Sequence, residues 1–207
     1  MSKKRIQKRA TRINRFIVVS GARKVGKTTL IKELLVASKR STLIVNPLRD
    51  DGWEEVPILA EGEMGSFKGV RQFVPKVEFS NATVKEMQGS YEVMRELFRK
   101  RRSVSIVIDD AFYYFRNRGF SGMVTGLAMS ASQRDIDMYL VFHSLGQIPT
   151  ALSPYITDYV IKKSAEKSER FHYKFPNSEA IFAAQNSVNL SPDRYDFRLI
   201  DVSATSI

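Results

Sequence analysis

The sequence predicts an α/β fold in which a mostly parallel central sheet is flanked by helices. The chain has 207 residues, which is the size of one domain. Short β-branched runs alternate along it with segments of helical periodicity, and a glycine-containing turn separates the first such pair. Strands interleaved with helices favour a parallel sheet, because each crossover returns the chain to the same edge. We therefore expect one domain.

The first elements form a strand–helix–strand unit. Phe16–Ser20 is a short apolar run, and Thr28–Ser38 follows it with leucine and isoleucine at helical spacing. Thr42–Val45 is a second strand of the buried type, which ends at Asn46-Pro47 because proline cannot continue a central ladder. Residues 48–81 carry scattered glycine and proline and are expected to be loops, with short strands around Val56–Leu59 and Val77–Phe79.

The rest of the chain continues the alternation. Thr83–Arg101 places one apolar stripe on a helix that ends in cations, as suits the helix dipole. The later elements are predicted as strands at Val104–Ile108, Met138–His143, Tyr159–Ile161 and Tyr195–Val202, and as a helix at Phe120–Ala131.

Composition excludes several functional classes. Hydrophobic residues make up 43% and charged residues 27%, close to a soluble globular average. With no cysteine there is no disulfide, thiolate metal site or cysteine nucleophile, and two histidines leave little for an all-histidine zinc site. No apolar run approaches the roughly 18 residues that cross a bilayer, and the first charges are not followed by the apolar stretch that a signal peptide requires. We therefore expect neither membrane spanning nor secretion by that route.

Positive charge is concentrated at the amino terminus. The net charge is +11 from 33 basic and 22 acidic residues. Residues 1–15 form a basic arm without any acid, and residues 16–207 are the expected domain. The cations of the arm are Lys3, Lys4, Arg5, Lys8, Arg9, Arg12 and Arg15. Such a run stays extended until a polyanion, nucleic acid or an anionic membrane surface, neutralises it. The alternative is a solubilising tail.

One motif carries a specific chemistry. It fits G-x-x-x-x-G-K-[ST] between a predicted strand and a predicted helix, and it consists of Gly21, Ala22, Arg23, Lys24, Val25, Gly26, Lys27 and Thr28. In such a loop successive backbone N–H groups and the positive end of the helix face phosphate oxygens. Lys27 would bridge the β- and γ-phosphates of ATP, and the Thr28 hydroxyl would bind Mg²⁺. We include the adjacent Thr29 among the nucleotide-binding residues.

A carboxylate pair follows another strand. Asp109 and Asp110 come directly after Ile106-Val107-Ile108. A phosphate loop needs an acid at the end of a neighbouring strand to hold magnesium through its water shell. We predict that Asp109 faces the metal, and that Asp110 orients or deprotonates the attacking water.

These residues resemble the FtsK–HerA superfamily of P-loop DNA-pumping ATPases. The likeness covers residues 16–165 and includes the loop at 21–28, the strand that ends at Asn46-Pro47, the acids at 109–110 and the segment 132–149. It implies a P-loop NTPase three-layer sandwich. Small members include genome-packaging ATPases of viruses with an internal membrane and the Zot-like relatives.

The resemblance also implies further site residues. Arg134 matches the place of an arginine that is offered to the nucleotide of a neighbouring subunit, which implies a ring. The alternative for Arg134 is a solvated loop cation. Members carry a polar γ-phosphate sensor after the next strand, which here is Ser144, Gln147 or neither. His143, on its own, is more typical of a core histidine than of a base. Asp110 stands where many relatives have glutamate.

The sequence therefore predicts an ATP hydrolase that moves double-stranded DNA, most simply into a viral capsid. The expected partners are the DNA, further copies in a probable hexameric ring, and capsid-vertex or internal-membrane proteins. The expected location is host cytoplasm or virion. The segment Tyr113–Phe120 is predicted as a loop that contacts DNA, with burial of its aromatic residues as the alternative. Three other functions stay open: a P-loop kinase, a nucleotide-stabilised binding protein and a Zot-like morphogenesis ATPase.

Overall fold

The computed structural model describes most of the chain. The described residues are 14–46, 51–60, 67–74, 92, 94–96, 98–115, 118–166, 170 and 174–202. Most of the basic arm, the strand expected at Val77–Phe79 and the first part of the helix expected from Thr83 lie outside them. Asn14 and Arg15, the described end of the arm, bond to the domain. The Asn14 side chain donates to the carbonyls of Ala131 and Ile136, each at 3.0 Å.

A sheet of seven strands organises the described residues. The strands are β1 (Phe16–Ser20), β2 (Thr42–Val45), β3 (Val70–Phe73), β4 (Val104–Ile108), β5 (Ile136–Phe142), β6 (Asp158–Lys162) and β7 (Phe197–Asp201). Their order is β3-β2-β4-β5-β1-β6-β7. Every neighbouring pair is parallel except β6 and β7, which are antiparallel. The predicted mostly parallel sheet is therefore confirmed.

Helices cover both faces of this sheet. They are α1 (Lys27–Ser38), α2 (Ala111–Phe115), α3 (Arg118–Arg134) and α4 (Ser178–Leu190), and the described residues between 92 and 100 are also helical. Short 3₁₀ turns lie at Asp51–Trp53, Leu145–Gln147 and Thr150–Tyr155.

Alternate residues of each strand face opposite sides of the sheet and define two cores. Ile17 and Val19 of β1 pack in a cluster with Ile31 and Leu35 of α1. Phe16 and Val18 belong to the larger cluster, which also holds apolar residues of α2, α3 and α4. Helix, sheet and helix thus form three layers, as the sequence predicts.

Four elements differ from the sequence-based expectation. Instead of the short strand expected around Val56–Leu59, the structure has an isolated bridge between Ile58 and Gln72. The predicted loop at Tyr113–Phe120 is wrong in its described parts, because residues up to Phe115 form α2 and residues from Arg118 form α3. The buried Tyr114 stacks on Phe120 with ring centroids 4.3 Å apart. Strand β3 was not expected, since its Arg71 and Gln72 interrupt the apolar pattern. Helix α4 was also not expected, because a buried glutamine, Gln185, interrupts its apolar stripe.

The strand order determines which residues meet at the functional edge of the sheet. β5 lies between β1 and β4, so the segment after β5 lies between the glycine-rich loop after β1 and the acids after β4. The carboxyl ends of β1 to β6 all lie at the same edge, because these strands are parallel. Ligands of open α/β sheets bind at this carboxyl edge.

Candidate functional site

The glycine-rich loop leaves the sheet through a narrow gap. Gly21 N–H donates to the carbonyl of Phe142 at the end of β5 (3.3 Å), and Ala22 N–H donates to the carbonyl of Lys163 after β6 (2.7 Å). A Cβ atom on Gly21 would lie 2.7 Å from the Cβ of Lys162, closer than packed carbon atoms approach. Only glycine fits there without displacing β6, so the first position of the motif requires glycine for a steric reason.

The loop ends at the amino terminus of α1. Gly26 has a φ of +74°, a left-handed conformation that glycine adopts without steric cost. No side chain caps the helix, and its first turn contains no acidic residue. The positive end of the helix dipole therefore faces the cleft without a competing carboxylate from its own first turn.

Lys27 is folded back onto the loop that it follows. Its Nζ donates to the carbonyls of Gly21 (2.8 Å) and Ala22 (2.7 Å), and it lies 3.3 Å from Nδ1 of His143. The side chain is buried, with 8% of the residue exposed. In this conformation the backbone carbonyls occupy the place beside Nζ that phosphate oxygens would take.

Asp109 is held with its carboxylate towards the same cleft. Its Oδ2 accepts the indole N–H of Trp53 at 2.6 Å, and its Oδ1 accepts the backbone N–H of Asp110 at 3.0 Å. Trp53 is in turn anchored by Gln72, whose Nε2 donates to the Trp53 carbonyl at 3.1 Å. Trp53, from the segment between β2 and β3, thus orients the buried Asp109 carboxylate. Hydrogen-bond partners of metal ligands commonly orient those ligands in this way.

His143 connects the loop to the second acid. Its Nε2 lies 2.5 Å from Oδ1 of Asp110, while Nδ1 faces the Lys27 ammonium. An ammonium can only donate, so Nδ1 accepts and Nε2 carries the proton towards Asp110. Asp110 has a φ of +44°, an uncommon conformation for a non-glycine residue. Lys27, His143 and Asp110 therefore form one hydrogen-bonded chain.

The two candidate sensors occupy different places. Gln147 Oε1 accepts the backbone N–H of His143 at 2.9 Å, so this glutamine supports the backbone of the residue that touches Asp110. Ser144 is partly buried in extended backbone directly after His143. Neither residue lines the cleft, whereas His143 does. Which group senses the γ-phosphate remains a prediction.

A cleft of about 500 Å³ gathers most of the predicted residues. Its lining is Arg23, Lys24, Gly26, Lys27, Thr28, Thr29, Asp109, Asp110 and His143. Val25, which the motif includes, is buried beneath the loop instead. Both predicted metal-facing residues, Thr28 and Asp109, are among the lining residues.

Within the described residues, no group of three histidine or carboxylate side chains is placed to hold a metal ion. A magnesium ion at Thr28 and Asp109 would therefore need phosphate oxygens and water as its remaining ligands. This arrangement is the one in which Mg²⁺ is usually bound, since the ion gives up its hydration shell reluctantly. The donor set fits Mg²⁺ that arrives together with a nucleotide.

Arg134 lies at the opposite edge of the sheet. It ends α3, directly before the amino end of β5, and its guanidinium donates to the carbonyls of Phe98 and Arg101, the latter at 2.7 Å. Burial, with a contribution from neighbouring Arg102, lowers the pKa of Arg134. Because the cleft is at the carboxyl edge, Arg134 does not belong to the cleft of its own chain.

Two residues of the site were not assigned a functional role from the sequence. His143 offers a signal, because it follows a buried strand directly, as Asp109 does. Trp53 offers none, since it lies in a 3₁₀ turn far along the chain from Asp109 and meets it only through the fold.

Comparisons with known proteins place the fold. No protein-family model and no curated protein sequence matches the chain. Among solved structures, the genome packaging NTPase B204 from Sulfolobus turreted icosahedral virus 2 in complex with ATP-γS matches with a TM-score of 0.65 and 17% identity over 92% of this chain and 93% of that one. B204 from Sulfolobus turreted icosahedral virus, a DNA-packaging ATPase, has a TM-score of 0.66 and 18% identity, and the match covers 93% and 95% of the two chains.

In the part of the chain that the structure describes, no helix has the length and apolar character needed to cross a bilayer.

A third similar structure comes from a larger protein. EssC (ATPases 2 and 3) from Geobacillus thermodenitrificans has a TM-score of 0.55 and 10% identity over 90% of this chain and 37% of that one. At these identities the comparisons establish the fold, and the chain has the P-loop NTPase fold that its resemblance to the FtsK–HerA superfamily predicts.

Proposed function

We propose that the chain is an ATPase that binds Mg·ATP in this cleft and couples its hydrolysis to the movement of double-stranded DNA, as in viral genome packaging. The observation that carries the proposal is the convergence of Lys27, Asp109 and Asp110 on one cleft beside the glycine-rich loop. The likeness to B204, which is named a DNA-packaging ATPase, supports the coupling to DNA.

Binding of the triphosphate would rearrange Lys27. Phosphate oxygens carry more negative charge than the carbonyls of Gly21 and Ala22 that Nζ contacts at 2.8 and 2.7 Å, so they compete for the ammonium. The loop N–H groups and the open end of α1 would hold the same phosphates. Thr28 and Asp109 would hold Mg²⁺, which neutralises charge on the β- and γ-phosphates when it is bound.

Release of Lys27 would also alter Asp110. In the described conformation the 2.5 Å contact with His143 engages Asp110 Oδ1, one of the two oxygens that could accept a proton from water. When Lys27 turns to the phosphates, His143 Nδ1 loses its donor and the histidine can reorient. Asp110 then accepts a proton as water attacks the γ-phosphorus, the bond to the β–γ bridging oxygen breaks, and ADP and phosphate form.

Arg134 supports an assembly of several copies in a ring. Its position at the far edge of the sheet suits contact with a nucleotide bound by a neighbour, where a guanidinium stabilises charge on the transferred phosphoryl group. This role requires that the neighbour displace the carbonyls of Phe98 and Arg101 from the guanidinium. The hexameric ring and capsid-bound partners belong to this proposal.

ATPase turnover with and without duplex DNA tests the function. Stimulation by DNA is expected, and Lys27→Ala should abolish it. Transfer of phosphate to an added nucleotide, without any response to DNA, would instead favour the kinase. Equal DNA encapsidation with wild-type protein and with Lys27→Ala would favour a binding protein that tethers DNA without hydrolysis.

Mixed assemblies test the role of Arg134. A Lys27→Ala subunit cannot use its own ATP but still offers Arg134, whereas an Arg134→Ala subunit binds ATP but lacks the guanidinium. Mixing the two inactive variants should restore part of the turnover if Arg134 acts on a neighbour. Absence of any recovery in mixed assemblies of confirmed composition would contradict that role.

A further inference from the structure

We propose that Tyr195 forms the platform on which the base of the bound nucleoside triphosphate stacks. The site would thus extend from the glycine-rich loop to the turn before β7. This inference rests on the proposed function, because it takes the loop at 21–28 as the phosphate site. It assigns a contact for the base, whereas the glycine-rich motif and the two acids account only for the phosphates and the metal.

The strand order gives the direction in which the nucleotide must lie. Asp109, Asp110 and His143, which would meet the terminal phosphate and its metal, follow β4 and β5 on one side of β1. The other neighbour of β1 is β6, and β7 lies beyond it. A triphosphate whose γ-end meets the acids therefore directs its sugar and base towards the β6–β7 side of the loop.

Tyr195 presents an aromatic ring at that place. A Cβ atom on Gly26 would lie 3.0 Å from Cδ1 of Tyr195, so the ring packs on the last glycine of the loop, where α1 begins. The residue nevertheless remains 59% exposed. An exposed aromatic ring beside a phosphate-binding loop is the surface on which a flat heterocycle can stack.

The backbone of Tyr195 is fixed on both sides. Its carbonyl accepts from Nζ of Lys162 at 2.7 Å, and its N–H donates to Oδ1 of Asp193 at 2.8 Å. Lys162 is buried in β6, and its Cβ is also the atom that excludes a side chain at Gly21. Lys162 therefore contacts both the backbone of Tyr195 and the start of the glycine-rich loop. These contacts hold the Tyr195 ring beside the loop in the absence of a ligand.

Stacking recognises the face of a base and not its hydrogen-bonding edge, because every base has a π-face. We therefore expect Tyr195 to distinguish a nucleoside triphosphate from a bare triphosphate, and to contribute little to the choice between adenine and guanine. The phenol hydroxyl is not needed for this contact, so phenylalanine should replace tyrosine.

Calorimetric titration of the full chain tests the proposal with two ligands, Mg·ATP and magnesium tripolyphosphate. Tyr195→Ala should weaken ATP binding about tenfold, the order expected for one lost base–aromatic stack, and should leave tripolyphosphate binding unchanged. Tyr195→Phe should bind both ligands as the wild type does. Leu199→Ala removes another exposed apolar side chain, 55% exposed on β7, and serves as the matched control.

The outcomes separate this inference from the function on which it rests. If the wild type binds both ligands and Tyr195→Ala retains its ATP affinity, the platform is refuted and the phosphate site stands. An equal loss of both ligands in Tyr195→Ala also refutes it, because the ring then only supports the loop. If the folded wild type binds neither ligand, the proposed function fails as well. Thermal melts of each variant confirm that the proteins compared are folded.

Discussion

Two largely buried cations at opposite edges of the sheet, Arg40 and Lys27, are held in different ways. At the amino edge Arg40 contacts Asp135 Oδ1 at 3.0 Å and Asp137 Oδ2 at 3.7 Å, and the Arg40 and Asp137 side chains are only 8% and 3% exposed. At the carboxyl edge Lys27 is held by carbonyls and a histidine, and the carboxylates of Asp109 and Asp110 line a cleft.

The difference lies in what a ligand could displace. At the amino edge two carboxylates of the fold already compensate the charge of Arg40, and removing one partner of such a buried pair is strongly destabilising. At the carboxyl edge the imidazole of His143 lies between the Lys27 ammonium and the Asp110 carboxylate, so that a ligand in the cleft could offer each of them a new partner. The arrangement of the charges therefore distinguishes the candidate binding site from the structural pair.

The largest expected effect is the loss of hydrolysis in Lys27→Ala. This change removes the cation that would contact the β- and γ-phosphates, and we expect turnover to fall by about 10²- to 10³-fold. Steady-state ATPase assays measure it. Lys100→Ala is a suitable control, since Lys100 pairs with Glu96 at 2.7 Å away from the cleft. Wild-type turnover in Lys27→Ala would mean that the carboxyl edge is not the site.

Asp137→Ala should lower the stability of the protein through the amino edge of the sheet and leave ligand binding in the cleft unchanged. It removes a buried partner of Arg40 and an acceptor for Arg15 N–H (3.1 Å), and should cost about 3 kcal/mol of the free energy of unfolding. Asp196→Ala is the matched control, because its 2.7 Å pair with Arg198 is partly exposed and solvent screens such a pair, so its loss should cost far less than that of Asp137.

Denaturant unfolding measures both stabilities, and calorimetry measures Mg·ATP affinity on the folded proteins. The comparison of the two edges predicts that Asp137→Ala leaves this affinity unchanged. A large loss of affinity in Asp137→Ala would show that the two edges are energetically coupled.

Trp53→Phe should lower the affinity for magnesium while leaving the rest of the site in place. The change removes the 2.6 Å donor to Asp109, and loss of such an outer contact typically lowers metal affinity by about 10-fold. The magnesium dependence of ATPase activity is the measurement. Tyr114→Phe modifies a buried aromatic residue in the other core and should not shift this dependence. An unshifted profile in Trp53→Phe would remove Asp109 from the proposed metal site.

The smallest expected effect concerns Tyr159, which neighbours Asp158 of the amino edge. Burial raises the pKa of the Tyr159 phenol above its usual value near 10. The unfolded chain therefore ionises this residue at a lower pH than the folded protein does. Its contribution to stability is complete below about pH 10 and is lost as the pH rises further.

Tyr159→Phe should remove this part of the alkaline destabilisation. At pH 11 the wild type should have lost about 1 kcal/mol more than the variant, relative to the difference between them at pH 8. Denaturant unfolding at the two pH values measures it. Parallel losses in both proteins would show that the phenol ionises equally in the folded and unfolded states.

Local patterns made much of the fold predictable. The β-branched runs at Phe16–Ser20 and Val104–Ile108 became strands at those bounds, and the glycine-rich motif lies between strand and helix as expected. Contacts between distant segments could not be predicted. The approach of Trp53 to Asp109 joins residues that are 56 positions apart, and no local spacing encodes it.

The contacts of Arg134 could not be predicted from local patterns either. Its position before β5 could be predicted, but the carbonyls of Phe98 and Arg101 that hold it come from a different helix end. The predicted loop at Tyr113–Phe120 was wrong for a related reason. Aromatic residues mixed with arginine left exposure and burial both open, and packing against α3 places Tyr114 in the core.

The contact between Trp53 and Asp109 also gives the protein an intrinsic optical reporter. Trp53 is the only tryptophan among the 207 residues, so its emission comes from a single, known place. Indole fluorescence responds to the charge and hydrogen bonding of its N–H group, and here that group touches a carboxylate at the edge of the cleft. If Asp109 binds Mg²⁺ as proposed, arrival of the ion should change this emission and could be followed in real time in the unlabelled native chain.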